Sequence, residues 1–244
     1  MVPLLMSELT LTYDFEGVFQ ERPNRFTIVI RHGSSQIKCH INDTGNLSHI
    51  LASGSTRVLA VANPKIGLKT SCRALAAIGP DGTLTIIDST IPNRFFERSF
   101  HIILSVDPFT SSLRKEFLVP GGRIDFAVYS PKGLWLVEVK GVNLSVNGLG
   151  LFPSAPSTRA YRHLESLALL ARRGFKTSLV FIALRGDIKS FAPNRRVDRR
   201  FASLLCSLAE TGIVDIVGVK IHVSLDTDEK LVKMGYKGLG SINC

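Results

Sequence analysis

Asp125, Glu138 and Lys140 carry the most specific chemistry in the chain, within the segment GGRIDFAVYSPKGLWLVEVKGVNL. The segment reads as two strands around the turn Ser130-Pro131-Lys132-Gly133. With Pro131 and Lys132 at the loop centre, Asp125 falls directly opposite Glu138. Side chains alternate between the faces of a strand. Ile124, Phe126, Val128, Trp135, Val137 and Val139 therefore form one apolar face against the core, and Asp125, Glu138 and Lys140 share the other. Facing side chains have Cβ atoms about 5 Å apart. Two carboxylates that close repel unless a cation lies between them, and oxygen ligands suit Mg2+ or Mn2+. Asp125 and Glu138 are thus candidate metal ligands. A metal there polarises a phosphodiester and lowers the pKa of a bound water. Lys140 orients that water or stabilises charge developing on the phosphate. Glu116, upstream in LRKEFLV, is a further candidate catalytic carboxylate. The same pattern also describes a surface hairpin whose acid pair Lys140 partly neutralises.

The rest of the chain suits a polyanionic partner. Its 244 residues carry a formal net charge of +10, and Lys and Arg side chains that neutralise phosphates release condensed counterions. Arg159, Arg162 and His163 fall in the first turns of an expected helix, where side chains and helix N–H groups can hold a phosphate near the acidic pair. Arg123 lies in the hairpin itself. In the N-terminal half, Arg22, Asn24, Arg25, His40 and Arg73 are further candidate nucleic-acid contacts, and Phe26 and Phe95 are candidates either for base stacking or for the core.

The elements that must position these groups fall into two patterns. Residues 1–100 read as short, evenly spaced strands, among them Arg25–Ile30, Gln36–His40, Thr56–Ala62 and Thr83–Asp88, which predicts a small all-β barrel or sandwich, a barrel of the oligonucleotide-binding type being one candidate. Residues 101–226 read as the hairpin, a helix capped by Ser157 and ended by Gly174, a strand over Thr177–Leu184, a helix opened near Asp198 and closed by Gly212, and a strand over Ile213–Val223. That order predicts an α/β domain with a mixed sheet. Residues 227–244 read as a fraying tail. Cys39, Cys72, Cys206 and Cys244 form no CxxC pair and read as reduced thiols, and no apolar run is long enough to span a membrane. A cytoplasmic, non-membrane protein is the expectation.

Several stretches resemble the sugar fermentation stimulation protein A family. They are GGRIDF, LVEVKGVNL and LFPSAPSTRAYRHL, with RPNRF, HINDTGNL and IPNRF in the N-terminal half and FAPNRRVDRRFASLL towards the end. The resemblance is collinear over roughly residues 16–222. It implies an N-terminal oligonucleotide-binding-like barrel and a C-terminal restriction-endonuclease-like α/β domain. It also implies DNA binding and an Asp…Glu-x-Lys triad of the metal-dependent nuclease type at Asp125, Glu138 and Lys140, with Glu116 at the upstream acid. Ser154 and Thr158 stand where the family usually has acids.

Two functions follow as expectations. One is a DNA-binding protein that holds the backbone with little sequence selectivity and carries an acidic metal site. The other is an Mg2+-dependent nuclease acting on DNA or RNA, for which a homodimer would suit double-strand cleavage.

Overall fold

The computed structural model describes residues 8–63, 69–120 and 122–244. Among these, the N-terminal strands are β1 (Glu8–Thr12), β2 (Phe15–Asn24), β3 (Thr27–His32), β4 (Ser35–His40), β5 (Arg57–Ala62), β6 (Cys72–Ile78) and β7 (Leu84–Ile86), followed by helix α1 (Ile91–Ile103). Then come β8 (Ser112–Val119), β9 (Gly122–Ser130), β10 (Gly133–Val142), β11 (Leu144–Val146), β12 (Leu149–Phe152) and helix α2 (Thr158–Arg172). The chain finishes with β13 (Lys176–Ala183), β14 (Ser190–Pro193), α3 (Arg199–Thr211), β15 (Asp215–Asp226) and β16 (Leu231–Gly240).

Strands β2 to β6 close into a barrel. β3 pairs with β2 and β4, β5 pairs with β2 and β6, and a parallel contact between β4 and β6 completes the ring. Ile28, Ile30, Val58, Ala60, Ala74 and Ile41 fill its interior. The β4–β6 contact sets Cys39 opposite Cys72, and the two are joined as a disulfide, as are Cys206 and Cys244. The reading of four reduced thiols is corrected: each pair is distant in sequence and brought together only by the fold.

The second body is a seven-stranded mixed sheet in the order β1-β16-β15-β13-β10-β9-β8. β10, β13 and β15 run parallel, with α2 and α3 in the connections between them. Both helices start where the sequence signals them. Ser157 accepts from the Ala160 N–H, Asp198 accepts from the Phe201 N–H, and Gly212 ends α3 at φ 63°. The last residues are no tail. β16 pairs with β15 and β1, so the strand at the start of the described chain lies in the sheet of the second body. No helix among the described residues is long and apolar enough to cross a membrane.

The hairpin has two covered faces rather than one. α1 lies over the face with Phe126 and Val139: Phe96 packs on Phe126 at 4.9 Å, and a Cβ on Gly141 would meet Pro92 at 2.7 Å. α2 lies over the face with Glu138, where His163 reaches the carboxylate. Parallel pairing with β13 makes β10 central in the sheet, and parallel sheets are usually covered on both sides. Glu138 is therefore an interior group, while Asp125 lines a cleft.

Candidate functional site

The β9–β10 ladder has the expected register from Ser130–Gly133 to Phe126–Val137. Beyond Phe126 the Asp125 carboxylate takes over: its Oδ2 accepts the Val139 N–H at 2.9 Å. Glu138 is 0% exposed. Its Oε1 receives the Lys140 ammonium at 2.5 Å and also meets His163 Nδ1, whereas its Oε2 is buried with no hydrogen-bond partner among the described residues. With the proton on Nδ1, the other ring nitrogen of His163 accepts from Arg159 Nε at 3.3 Å.

Electrostatics separates the two acids. Burial raises the Asp125 pKa, and the Glu138 charge raises it further, against the opposing pull of Lys140. Burial also pushes Glu138 upward, but the His163 hydrogen bond and the Lys140 charge outweigh it and leave Glu138 below its ordinary value. Glu138 is thus the ionised anchor and Asp125 the carboxylate most in need of a further cation.

Glu116 does not join them. The register sets it beside Asp125, between the Lys115–Phe126 and Phe117–Ile124 pairs. Its backbone is left-handed at φ 52°, and its carboxylate pairs instead with Arg123 at 2.9 Å. Among the described residues no three His, Cys, Asp or Glu side chains form a metal-binding group. Two carboxylates nevertheless fit Mg2+ or Mn2+, because Mg2+ commonly takes one or two carboxylates and completes its shell with water and substrate phosphate. The unpartnered Glu138 Oε2 is the vacancy in hydrogen bonding that such an ion would satisfy.

Asp125 and Lys140 open into a cleft of about 490 Å³ at the junction of the two bodies. Its barrel wall is the loop Asn42–Gly45, and its other walls include Asn93, Phe152–Ser157 and Arg159. Asp43 clamps the junction: its Oδ2 accepts from Asn143 Nδ2 at 2.7 Å and its Oδ1 from the Gly45 N–H at 2.8 Å. Gly45 and Ser154 approach so closely that a Cβ on Gly45 would lie 2.6 Å from the serine Oγ. Neither Asp43 nor Asn143 stands out by residue type; Asp43 falls within the stretch HINDTGNL and Asn143 within LVEVKGVNL.

Most basic and polar candidates of the barrel are committed internally. Arg22 donates to the carbonyls of Asp43, Gly45 and Arg25, and so builds the cleft loop. Asn24 accepts the Phe26 N–H. Arg73 pairs with buried Asp88, and His40 Nε2 meets Asn42 Oδ1 at 3.0 Å. Arg25 remains at the surface, its guanidinium 4.7 Å from the centre of the exposed Phe26 ring, which also stacks on His40. Phe95 is buried in α1 and belongs to the core. Arg123, Arg159, Arg162 and His163 are gathered around a second cavity of about 490 Å³ beside the acidic pair.

A closed β-barrel of the oligonucleotide-binding type joined to a mixed α/β sheet, with a buried acid–lysine centre near the junction, defines a two-part architecture. The N-terminal part matches the SfsA N-terminal OB domain over residues 21–87. The C-terminal part matches the sugar fermentation stimulation protein RE domain over residues 90–227. The chain belongs to the sugar fermentation stimulation protein A family. It is 37% identical over 212 residues to a sugar fermentation stimulation protein homolog of Pyrobaculum neutrophilum, covering 86% of this chain and 88% of that one. The Moorella thermoacetica homolog is 34% identical over 211 residues, covering 85% and 90%. The structure of Pyrococcus furiosus SfsA in complex with Ca2+ superposes with a TM-score of 0.82 at 26% identity, covering 97% of this chain and all of that one.

Proposed function

We propose that the chain binds nucleic acid, DNA foremost, through its phosphate backbone, and that Asp125 and Glu138 hold Mg2+ or Mn2+ beside the bound strand. The observation that carries this reading is the Glu138 carboxylate, fully buried with Oε2 lacking a hydrogen-bond partner among the described residues, next to Asp125 and close to a rim of arginines. Burying an ionised carboxylate with an idle oxygen is costly unless something else completes it. The Pyrococcus furiosus relative was solved in complex with Ca2+, and a divalent cation in that relative supports this reading. When bound, a divalent ion supplies Lewis-acid polarisation of a phosphodiester and a more acidic water.

A second reading, metal-dependent hydrolysis of the phosphodiester, is favoured by Lys140. Its ammonium is anchored on Glu138 at 2.5 Å while it lines the cleft, where it can stabilise charge developing on phosphate. The test for both is titration of labelled DNA and RNA at several salt concentrations, with and without Mg2+ or Mn2+. Binding should weaken with a log–log slope of about −0.9 per phosphate neutralised on duplex DNA. Affinity that stays flat with salt overturns backbone-directed binding. Cleavage that needs metal and disappears in Glu138→Gln establishes the second reading, and its absence leaves a binding protein.

A further inference from the structure

The cavity beside the acidic pair has more positive charge than the protein itself uses. Arg123, Arg159 and Arg162 line it, with His163, Thr158 and Ser166. Glu116 answers Arg123, but among the described residues neither Arg159 nor Arg162 has a carboxylate partner. Three guanidiniums against one carboxylate leave a surplus of two positive charges. α2 begins at Thr158 on the cavity wall and has no acidic side chain in its first turn, so the positive end of the helix adds to that surplus.

We propose that this cavity receives a terminal phosphate monoester of a nucleic-acid strand. The inference rests on the nucleic-acid reading above and adds which part of the strand is recognised. A phosphate monoester carries about −1.5 to −2 charges at neutral pH and offers three strong acceptor oxygens. An internal diester carries one charge and is tied on both sides. The surplus of two and the forked geometry of guanidinium match the monoester better. Position agrees with charge. Arg159 lines both this cavity and the junction cleft, and His163 in the cavity wall touches Glu138. A strand anchored by its end here is placed to lay its next phosphates towards Asp125 and Lys140.

The experiment uses the full chain in EDTA and an internally labelled single-stranded oligonucleotide of one sequence. Three forms are compared by fluorescence anisotropy: 5′-phosphate, 3′-phosphate and hydroxyl at both ends. One phosphorylated end should bind about tenfold tighter than the hydroxyl form, equivalent to about 1.4 kcal/mol, and which end does so identifies the strand polarity. Arg162→Gln, at an exposed helix position, should reduce that preference towards unity. Arg196→Gln, which removes the same charge from an exposed position outside the cavity, should keep it. Equal affinity for all three forms overturns the inference and leaves general nucleic-acid binding intact. A preference unchanged in Arg162→Gln overturns the assignment to this cavity. Binding to none of the three forms defeats the underlying nucleic-acid reading.

Discussion

The carboxylate of Asp125 accepts the backbone N–H of Val139 across the hairpin at 2.9 Å. Regular pairing of β9 with β10 ends one step earlier, at Phe126 and Val137. One oxygen of Asp125 therefore continues the ladder, and the carboxylate, which lines the cleft, also takes a side-chain hydrogen bond from Asn93. Asp125→Ala should leave a buried N–H without an acceptor, at a cost of about 1–3 kcal/mol. Asp125→Asn keeps an acceptor oxygen and should stay near wild-type stability. Both should lose stabilisation by Mg2+ or Mn2+. Denaturant unfolding with and without metal reads all of this, and an Asp125→Ala protein as stable as wild type would show the hydrogen bond to be idle.

Lys140 donates its ammonium to Glu138 Oε1 at 2.5 Å. Lys140→Ala should leave Asp125 and Glu138 repelling each other with weaker compensation, and so lower stability in EDTA. Divalent metal should then stabilise the variant more than it stabilises wild type. Ligand linkage gives about 2.7 kcal/mol at a metal concentration one hundred times Kd. Thermal melts across a Mg2+ titration check the sign: a smaller metal effect in Lys140→Ala than in wild type would contradict the two-carboxylate site.

Local signals were legible and long-range ones were not. The hairpin register, the Ser157 and Asp198 caps and the Gly212 stop all depend on residues within a few positions of each other, and the structure reproduces them. β1 and β16 pair across more than two hundred residues, so neither strand's partner could be read from its neighbourhood. Within Ile91–Ile103 the sequence offers only the motif IPNRF at 91–95, with Phe95 a candidate for either base stacking or the core. Its helix is amphipathic, with Phe95 and Phe96 facing the sheet, but Thr90 supplies no side-chain cap to announce it. Alternation along the hairpin sets Asp125, Glu138 and Lys140 on one face. That α2 buries Glu138 and brings His163 to it depends on tertiary packing, as does the turning away of Glu116 through a left-handed backbone.

The Cys39–Cys72 disulfide closes a span of 33 residues at the barrel seam. Loop-closure entropy for a span of that size corresponds to about 3–4 kcal/mol. The double variant Cys39→Ala, Cys72→Ala should unfold at correspondingly lower denaturant, and reductant should shift wild type but not the variant by this bond. Identical midpoints for the two proteins under non-reducing conditions would show that the pair contributes no constraint.

Asp43 gives the junction a pH dependence with a definite sign. Burial raises its pKa, and the Gly45 N–H, Arg22 and Asn143 only partly offset that. A folded-state pKa above the ordinary 3.8 means that the folded protein holds the proton more tightly than the unfolded chain. The associated stability is fully present below that ordinary value and is lost as pH rises through the folded-state pKa, with a slope of at most about 1.4 kcal/mol per pH unit for one proton. Asp43→Asn removes the titration while keeping an oxygen for the Gly45 N–H. Asp125 shifts in the same direction, so the wild-type curve alone would mix the two, and subtracting the Asp43→Asn curve isolates Asp43. In EDTA, the stability of Asp43→Asn relative to wild type should climb as pH rises from about 3.8 and level off once Asp43 is ionised. Asn143→Ala should enlarge that climb, since it removes a donor that favours the ionised form. Parallel stability curves for wild type and Asp43→Asn from acid to neutral pH would show that Asp43 titrates alike in the folded and unfolded chains, its hydrogen bonds and Arg22 fully offsetting the burial.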